Sequence, residues 1–485
     1  MMRFHPIVPS RRLRVSFGWL VALAITIPVQ AQQPPDLGTD QAESVTASPG
    51  PQTVGDPQTV GDAQAEPDTP ETRVSDKPAA DEMSGNWSQW RGPNRDGYFL
   101  GPDWPDALAG RMELMWEVPL GPSYSGPVSD GTLVFTTETV DKTFERVSAF
   151  ELATGKPAWT AQWEGSLAVP FFAAANGDWI RSTPALVPGH LVVAGMRDVI
   201  VCLDPATGQQ RWRVDMAADH GNPLQSFGCV CSPLIDGDAV YLQTGGGVTK
   251  LSLADGSLIW QTLNEGAGMM NGGAFSSPIV TTLDGQRQLV VATRTRLIGV
   301  SLADGRELWG EPIESFRGMN ILTPVVADGR LFSSAHSGRS RLFAVAAKDG
   351  SVPAVTELWD NKSQAYMSSP VVIGDHLYLH LKNQRFVCLD LRDGSEKWTT
   401  QPFGKYWSMV ANPRGGTMLA LDEDGQLRLI ADDPESYRLL SEAKVAEDSW
   451  AHLAVQPLSE LATTDAAPLA ILVRAIDRLR VYRWE

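Results

Sequence analysis

From residue 110 onward the chain repeats one pattern of apolar and polar positions. A small residue, then another, then Pro opens each unit; an apolar strand follows, and a further strand ends in a turn bearing Asp or Thr with Gly, and Trp a few residues on. The turns read Leu152-Ala-Thr-Gly155 before Trp159, Asp204-Pro-Ala-Thr-Gly208 before Trp212, and Leu253-Ala-Asp-Gly256 before Trp260. They continue with Leu302-Ala-Asp-Gly305 before Trp309, Lys348-Asp-Gly350 before Trp359, and Asp390-Leu-Arg-Asp-Gly394 before Trp398. The tryptophans recur at intervals of 53, 48, 49, 50 and 39 residues. A period near 50 with four strands per unit points to propeller blades.

The openings carry the same period independently: Pro127, Pro184, Pro233, Pro278, Pro324 and Pro370 each follow Ser, Thr or Gly and precede an apolar strand. In the turns, Asp or Thr caps the bend through its side-chain oxygen and Gly takes the positive-φ position. Runs such as Leu191-Val-Val-Ala194 and Ala239-Val-Tyr-Leu242 suit sheets buried between neighbours. A seventh unit, with strands at Met418–Leu421 and Leu427–Ile430, has Leu439 or Leu440 near the Trp position. An eighth begins around Trp450 and stops at Glu485 before any outer strand. The missing strand is expected at the other end, where Glu113–Leu120, holding Trp116, would pair with Leu479–Tyr482 and leave no open edge. The expected fold is therefore all-β: an eight-bladed β-propeller, four antiparallel strands per blade, closed by an N-terminal strand. Trp116, Trp159, Trp212, Trp260, Trp309, Trp359 and Trp398 read as structural, since each buries a large apolar area.

The preceding residues divide the chain into 1–31, 32–85 and a propeller at 86–485, the last with an extension at 86–110 and the closing strand at 111–120. Arg3, Arg11, Arg12 and Arg14 precede an apolar run, Trp19–Val29, that is shorter than the ~20 residues a membrane span needs. Val29-Gln30-Ala31 supplies small residues for cleavage after Ala31, so residues 1–31 read as a signal peptide. Residues 32–85 hold eight Pro, eleven acids and two bases but no Phe, Trp or Tyr, the composition of a disordered acidic spacer. With no Cys after the apolar run, the mature chain is expected to be exported, periplasmic or extracellular, without lipid anchor or transmembrane segment, and monomeric.

Net charge is −17, and no basic block occurs beyond the N-terminus, so nucleic acid is excluded as a partner. The seven His residues show no ligand spacing, and no metal site is expected. Cys202 and Cys388 fall at one place in two repeats four blades apart, too far for a disulfide. Cys229 and Cys231, at i and i+2, are either two small inner-strand residues or a strained bridge.

The repeated Leu-Asp-x-x-Thr-Gly-x-x-x-Trp, seen at Leu203–Trp212 and more loosely in five other units, resembles the quinoprotein-type (PQQ-like) propeller repeat family across roughly residues 87 to 485. Trp87-Ser-Gln-Trp-Arg-Gly-Pro-Asn-Arg-Asp-Gly97 resembles the opening motif of secreted bacterial propellers with such repeats. One branch, the PQQ-dependent dehydrogenases, implies a quinone with Ca²⁺, often a vicinal Cys pair, and an Asp base. Here no two Cys are adjacent, so PQQ is without that support and no cofactor is expected. The other branch, the propeller lipoprotein of the outer-membrane barrel-assembly machinery, implies a non-catalytic scaffold; this chain shares its blade count but lacks the lipidated Cys. The expected function is a binding or scaffold propeller of the cell envelope with a protein partner and no catalytic residues. The alternative is a PQQ-dependent oxidoreductase of the alcohol or sugar type. Ligand contacts are expected at the channel mouth, beside the small-x-Pro starts: Tyr124, Arg181, Trp450 and His452, with Arg91 if Trp87–Gly97 folds back over one face.

Overall fold

Residues 85–266, 268, 273–346, 353–458 and 468–485 are described by a computed structural model. They form eight four-stranded antiparallel sheets arranged in a ring, an eight-bladed β-propeller. Seven blades use consecutive strands: blade 1 at 128–164, then 185–215, 234–262, 279–312, 325–361, 371–399 and blade 7 at 408–444. Blade 8 joins the ends of the folded region, its strands Ala454–Pro457, Leu469–Ala475 and Arg478–Trp484 completed by Met112–Pro119. Val118 pairs with Leu479, Trp116 with Val481 and Leu114 with Tyr482. The closing strand is where the sequence pattern put it. The signal-peptide and spacer expectations, and the turn at Lys348–Gly350, lie outside the described residues.

The repeated tryptophan joins each blade to the next. Trp159 packs on Gly208 of blade 2, whose φ of +73 carries the turn and whose missing Cβ leaves room for the indole. Its Nε1 donates 2.8 Å to Pro205 O of that turn. The same bond runs from Trp116 to Leu152 O (2.8 Å), Trp212 to Leu253 O (2.7 Å), Trp260 to Leu302 O (3.4 Å), Trp359 to Leu391 O (2.9 Å) and Trp398 to Asp433 O (2.9 Å). A buried or half-buried ring with a satisfied N–H thus forms the outer rim of six of the eight seams. Trp309 differs: it donates 2.6 Å to Gln288 Oε1 of its own blade and lies over Gly299.

Blade 7 corrects one expectation. In the other blades the register shift follows the Trp pair, as after Cys202 with Trp212; in blade 7 it follows Leu429 with Ser441. Ser441 therefore holds the Trp position, while Leu439 and Leu440 are exposed. The N-terminal extension fills the seam. Ser441 Oγ accepts the backbone N–H groups of Leu108 (2.9 Å) and Ala109 (3.1 Å), Leu108 is buried, and Trp484 Nε1 donates 2.8 Å to Ala107 O.

The small-x-Pro starts explain themselves at the inner edge. The residue before Pro is held extended. Its backbone N–H donates to the hydroxyl at the equivalent place in the next blade: Gly126 to Thr183 Oγ1 (3.0 Å), Thr183 to Ser232 Oγ (3.0 Å), Ser232 to Ser277 Oγ (2.9 Å) and Thr323 to Ser369 Oγ (3.1 Å). All four cysteines are buried and free. Cys229 and Cys231 precede the inner strand Leu234–Asp236 of blade 3, so they sit in the connection and not in a strand.

Candidate functional site

One end of the central channel is closed by the chain itself. Innermost strands present unpaired backbone groups to the axis, and the Trp87–Gly97 motif spends its own polar groups on them. Trp87 accepts a bond from Ser129 N of blade 1 (2.9 Å) and donates to Gln456 Oε1 of blade 8 (2.9 Å); Ser88 O accepts Leu186 N of blade 2 (2.8 Å). Arg95 donates to Pro233 O (2.7 Å) and Ser232 O (3.1 Å) at blade 3, Trp90 Nε1 to Thr323 Oγ1 at blade 5 (3.0 Å), and Arg91 to Pro370 O at blade 6 (2.6 Å). Gly97 O accepts Ala411 N of blade 7 (2.8 Å). The segment thus crosses the axis as a plug. Its composition follows: a Cβ on Gly97 would stand 2.7 Å from the Arg91 guanidinium, and Gly97 has φ of +84.

Both plug arginines are buried, and burial lowers their pKa values, to about 10 for Arg91 and about 9 for Arg95. They stay charged at neutral pH; Arg91 Nη2 and both terminal nitrogens of Arg95 reach carbonyl oxygens, while Arg91 Nε and Nη1 and Arg95 Nε are buried without a hydrogen-bond partner. His452 is packed between Trp87 (6.0 Å, stacked) and Trp90 (5.0 Å, edge-on), and burial, with Arg91 close by, holds its pKa down at about 3. Arg91 and His452 therefore belong to the plug and not to the mouth. The expectation that they stand with Tyr124, Arg181 and Trp450 is corrected: the motif folds into the channel and not over a face.

At the other end lies a cup of about 360 Å³, with Trp90 among its lining residues. Tyr124, Arg181 and Trp450 do line it together; Tyr124 stacks on Trp450 at 4.9 Å and 18°, and Arg181 Cζ stands 5.8 Å from the Tyr124 ring. The three share a register, each the third residue before the Pro position of an inner strand. Val230, Phe275, Ile321 and Met367 occupy the same place in blades 3 to 6 and also line the cup, a signal present in the sequence and missed. Arg294, Arg317, Phe172 and Phe316 come from other connections and carry no repeat signature.

The cup is cationic and aromatic. Arg294, 3% exposed, lies 4.4 Å over the Phe275 ring and donates 2.8 Å to Arg317 O. Arg181 donates 2.7 Å to Gly177 O, while its Nε has no hydrogen-bond partner. Burial lowers the pKa of Arg181, with Tyr124 opposing, and that of Arg294, with Glu265 opposing. Phe171 is 90% exposed and packs edge-on against Phe172 beside the cup. A smaller cavity of about 250 Å³, with His336, His380, Lys382 and Lys405, adjoins it at Tyr366 and Met367.

A quinone held on Ca²⁺ needs oxygen ligands for the metal, carboxylates foremost. The described residues lining the cup include no Asp or Glu, and three guanidinium groups there would repel the ion. The residues do not fit that pair. Among the described residues no group of three or more His, Cys, Asp or Glu is placed to hold a metal.

A family model described as outer membrane protein assembly factor BamB matches residues 143–400. The chain is similar to outer membrane protein assembly factor BamB of Yersinia pestis, 23% identical over 286 residues, which are 57% of this chain and 66% of that protein. The fold is similar to the crystal structure of BamB from Moraxella catarrhalis (TM-score 0.53, 15% identity, 77% of this chain and 100% of that one). It is similar also to a europium-containing methanol dehydrogenase (TM-score 0.51, 12% identity, 83% and 100%). The fold alone thus leaves scaffold and dehydrogenase unseparated.

Proposed function

The chain belongs to the family of the outer membrane protein assembly factor BamB, and on that footing we propose that it is a non-catalytic scaffold of the cell envelope that binds a protein partner during outer-membrane protein assembly. The family match over residues 143–400 carries this reading. The make-up of the cup supports it against the alternative. Alcohol oxidation by a bound quinone needs a base at the substrate hydroxyl, and the cup walls offer guanidinium groups and rings instead. The same proposal takes residues 1–31 as a removable export signal and the mature protein as periplasmic or extracellular. Among the described residues no helix is long and apolar enough to cross a membrane.

Loss of the gene in its own bacterium tests the proposal. The expected result is a lower level of folded outer-membrane β-barrel proteins, with the propeller cross-linking to assembly components in the envelope. A stoichiometric PQQ–Ca²⁺ complex that reduces dye with alcohols or sugars would overturn it in favour of the oxidoreductase.

A further inference from the structure

We propose that the smaller cavity, off the channel axis where blades 5, 6 and 7 meet, is a binding site for a phosphate monoester, which enters by its head group. This goes beyond the assembly reading and does not depend on it.

The backbone fixes the place. In the hairpin that follows His380 of blade 6, Leu381 N donates 2.8 Å to Arg385 O, and Lys382 N donates 2.8 Å to Gln364 O of the connection from blade 5. Tyr366 and Met367 of that connection form the wall shared with the cup. His336 of blade 5 and Lys405 and Tyr406 of the connection into blade 7 complete the lining. Gln384 and Tyr406 hold φ of +66 and +56. That left-handed conformation is uncommon for residues with a side chain, a bulky one above all, and where it persists it clusters at functional sites.

Charge and size narrow the class. In a chain of net charge −17, the described residues of this lining include two ammonium groups, Lys382 and Lys405, two imidazoles, His336 and His380, and no carboxylate. Burial lowers the pKa of both imidazoles, of His380 to about 4, and Lys382 adds to the effect on His336. Both rings are therefore neutral at pH 7, and the lysines carry the charge. Glu423, in the hairpin of blade 7, donates its N–H to Lys405 O (3.0 Å), and burial raises its pKa to about 7, so its opposing charge is partial at neutral pH. The volume of about 250 Å³ lies below the ~300–1,000 Å³ of drug-sized sites. It takes a head group, with the rest of the ligand outside. An ammonium is a compact point charge that suits tetrahedral phosphate oxygens, whereas planar carboxylates are matched by a guanidinium fork, which this lining lacks. Two ammonium groups balance the nearly two negative charges of a monoester, and Ser368, Gln384 and the hydroxyls of Tyr366 and Tyr406 are donors for its oxygens.

Calorimetric titration of the full chain with glycerol 2-phosphate at low ionic strength tests this, beside flotation with phosphatidylcholine vesicles that contain phosphatidate or phosphatidylglycerol. The soluble ester is expected to bind with a dissociation constant on the order of 1 mM. The diester anion dimethyl phosphate should bind at least ~10-fold more weakly. Lys382→Gln and Lys405→Gln should each weaken the monoester by about 10-fold. Lys362→Gln, at the start of the connection that carries Tyr366 but outside the lining, should leave it unchanged. All three lysines are exposed, so the variants should keep the melting temperature. Phosphatidate vesicles that hold the native protein and lose Lys382→Gln would identify a lipid head group as the source; glycerol phosphate bound while vesicles are ignored would identify a soluble ester. Binding of neither, or equal binding of monoester and diester, free or in vesicles, would overturn the proposal. So would native affinity in both cavity variants, or an equal loss in Lys362→Gln.

Discussion

The two ends of the central channel both rely on arginine, and they use it in opposite ways. At the closed end Arg91 and Arg95 are aimed at main-chain carbonyls of blades 6 and 3, and their charge serves to cap inner strands that would otherwise face the axis unpaired. At the open end Arg181 and Arg294 lie over the rings of Tyr124 and Phe275, beside the open volume of the cup, and each donates to a backbone carbonyl. The lesson is that a guanidinium's role follows from what its N–H groups meet. Carbonyls on several blades make a structural rivet; aromatic faces around open volume leave a cationic, ring-lined cup.

That contrast can be broken at several points. Deleting Met112–Pro119 should have the largest effect, because it opens blade 8 and both ends depend on a closed ring; calorimetry should show no cooperative transition, or the protein should aggregate. Trp87→Ala at the closed end should cost about 3–5 kcal/mol, as for other buried aromatic truncations, read from denaturant unfolding. Arg95→Ala should cost about 2–3 kcal/mol by leaving the Pro233 and Ser232 carbonyls without their donors. Arg95→Lys should not restore it, since an ammonium lacks the fork that reaches both oxygens.

Acid should act on the closed end first. His452 has its pKa held at about 3 by burial and by Arg91, against 6.5 when free. Between those values the unfolded chain binds a proton that the fold refuses, so stability should fall as pH drops from 6.5 toward 3 and be unaffected by this group above 6.5. The slope is about 1.4 kcal/mol per pH unit for one proton, and His452→Phe should flatten it in pH-dependent melting curves. The smallest effect is expected at the open end. Phe172→Ala should change unfolding free energy by less than about 0.5 kcal/mol, because half the side chain is already in solvent. A large loss of stability from that substitution would erase the distinction between rivet and cup.

Much of this was legible in the chain. The Trp series, the turn glycines and the Pro starts repeat because every blade must meet its neighbour in the same way, and Trp116 betrayed the closing strand by carrying the repeat residue without the repeat turn. Three of the cup residues were legible for the same reason, as Tyr124, Arg181 and Trp450 stand at one register before the inner strand. Arg91 was misplaced because nothing local says whether a Gly-rich arginine motif lies over a channel or in it, and His452 because its burial comes from Trp87 and Trp90 of that motif, which reach it only in the folded ring. Ser441 was missed because a register shift decides which residue of Leu439-Leu440-Ser441 takes the Trp place.

The sequence by itself determined the number of blades, their four-strand pattern and the closure of the ring, since these rest on periodic local chemistry repeated in every unit. Tertiary structure alone decided which end of the channel is shut, that Leu108 covers the seam at Ser441, and that Arg294 and Arg317 join Arg181 around one cup. Those outcomes depend on where non-repeating connections and the N-terminal segment come to rest once the ring exists, and no spacing along the chain encodes a meeting at its axis.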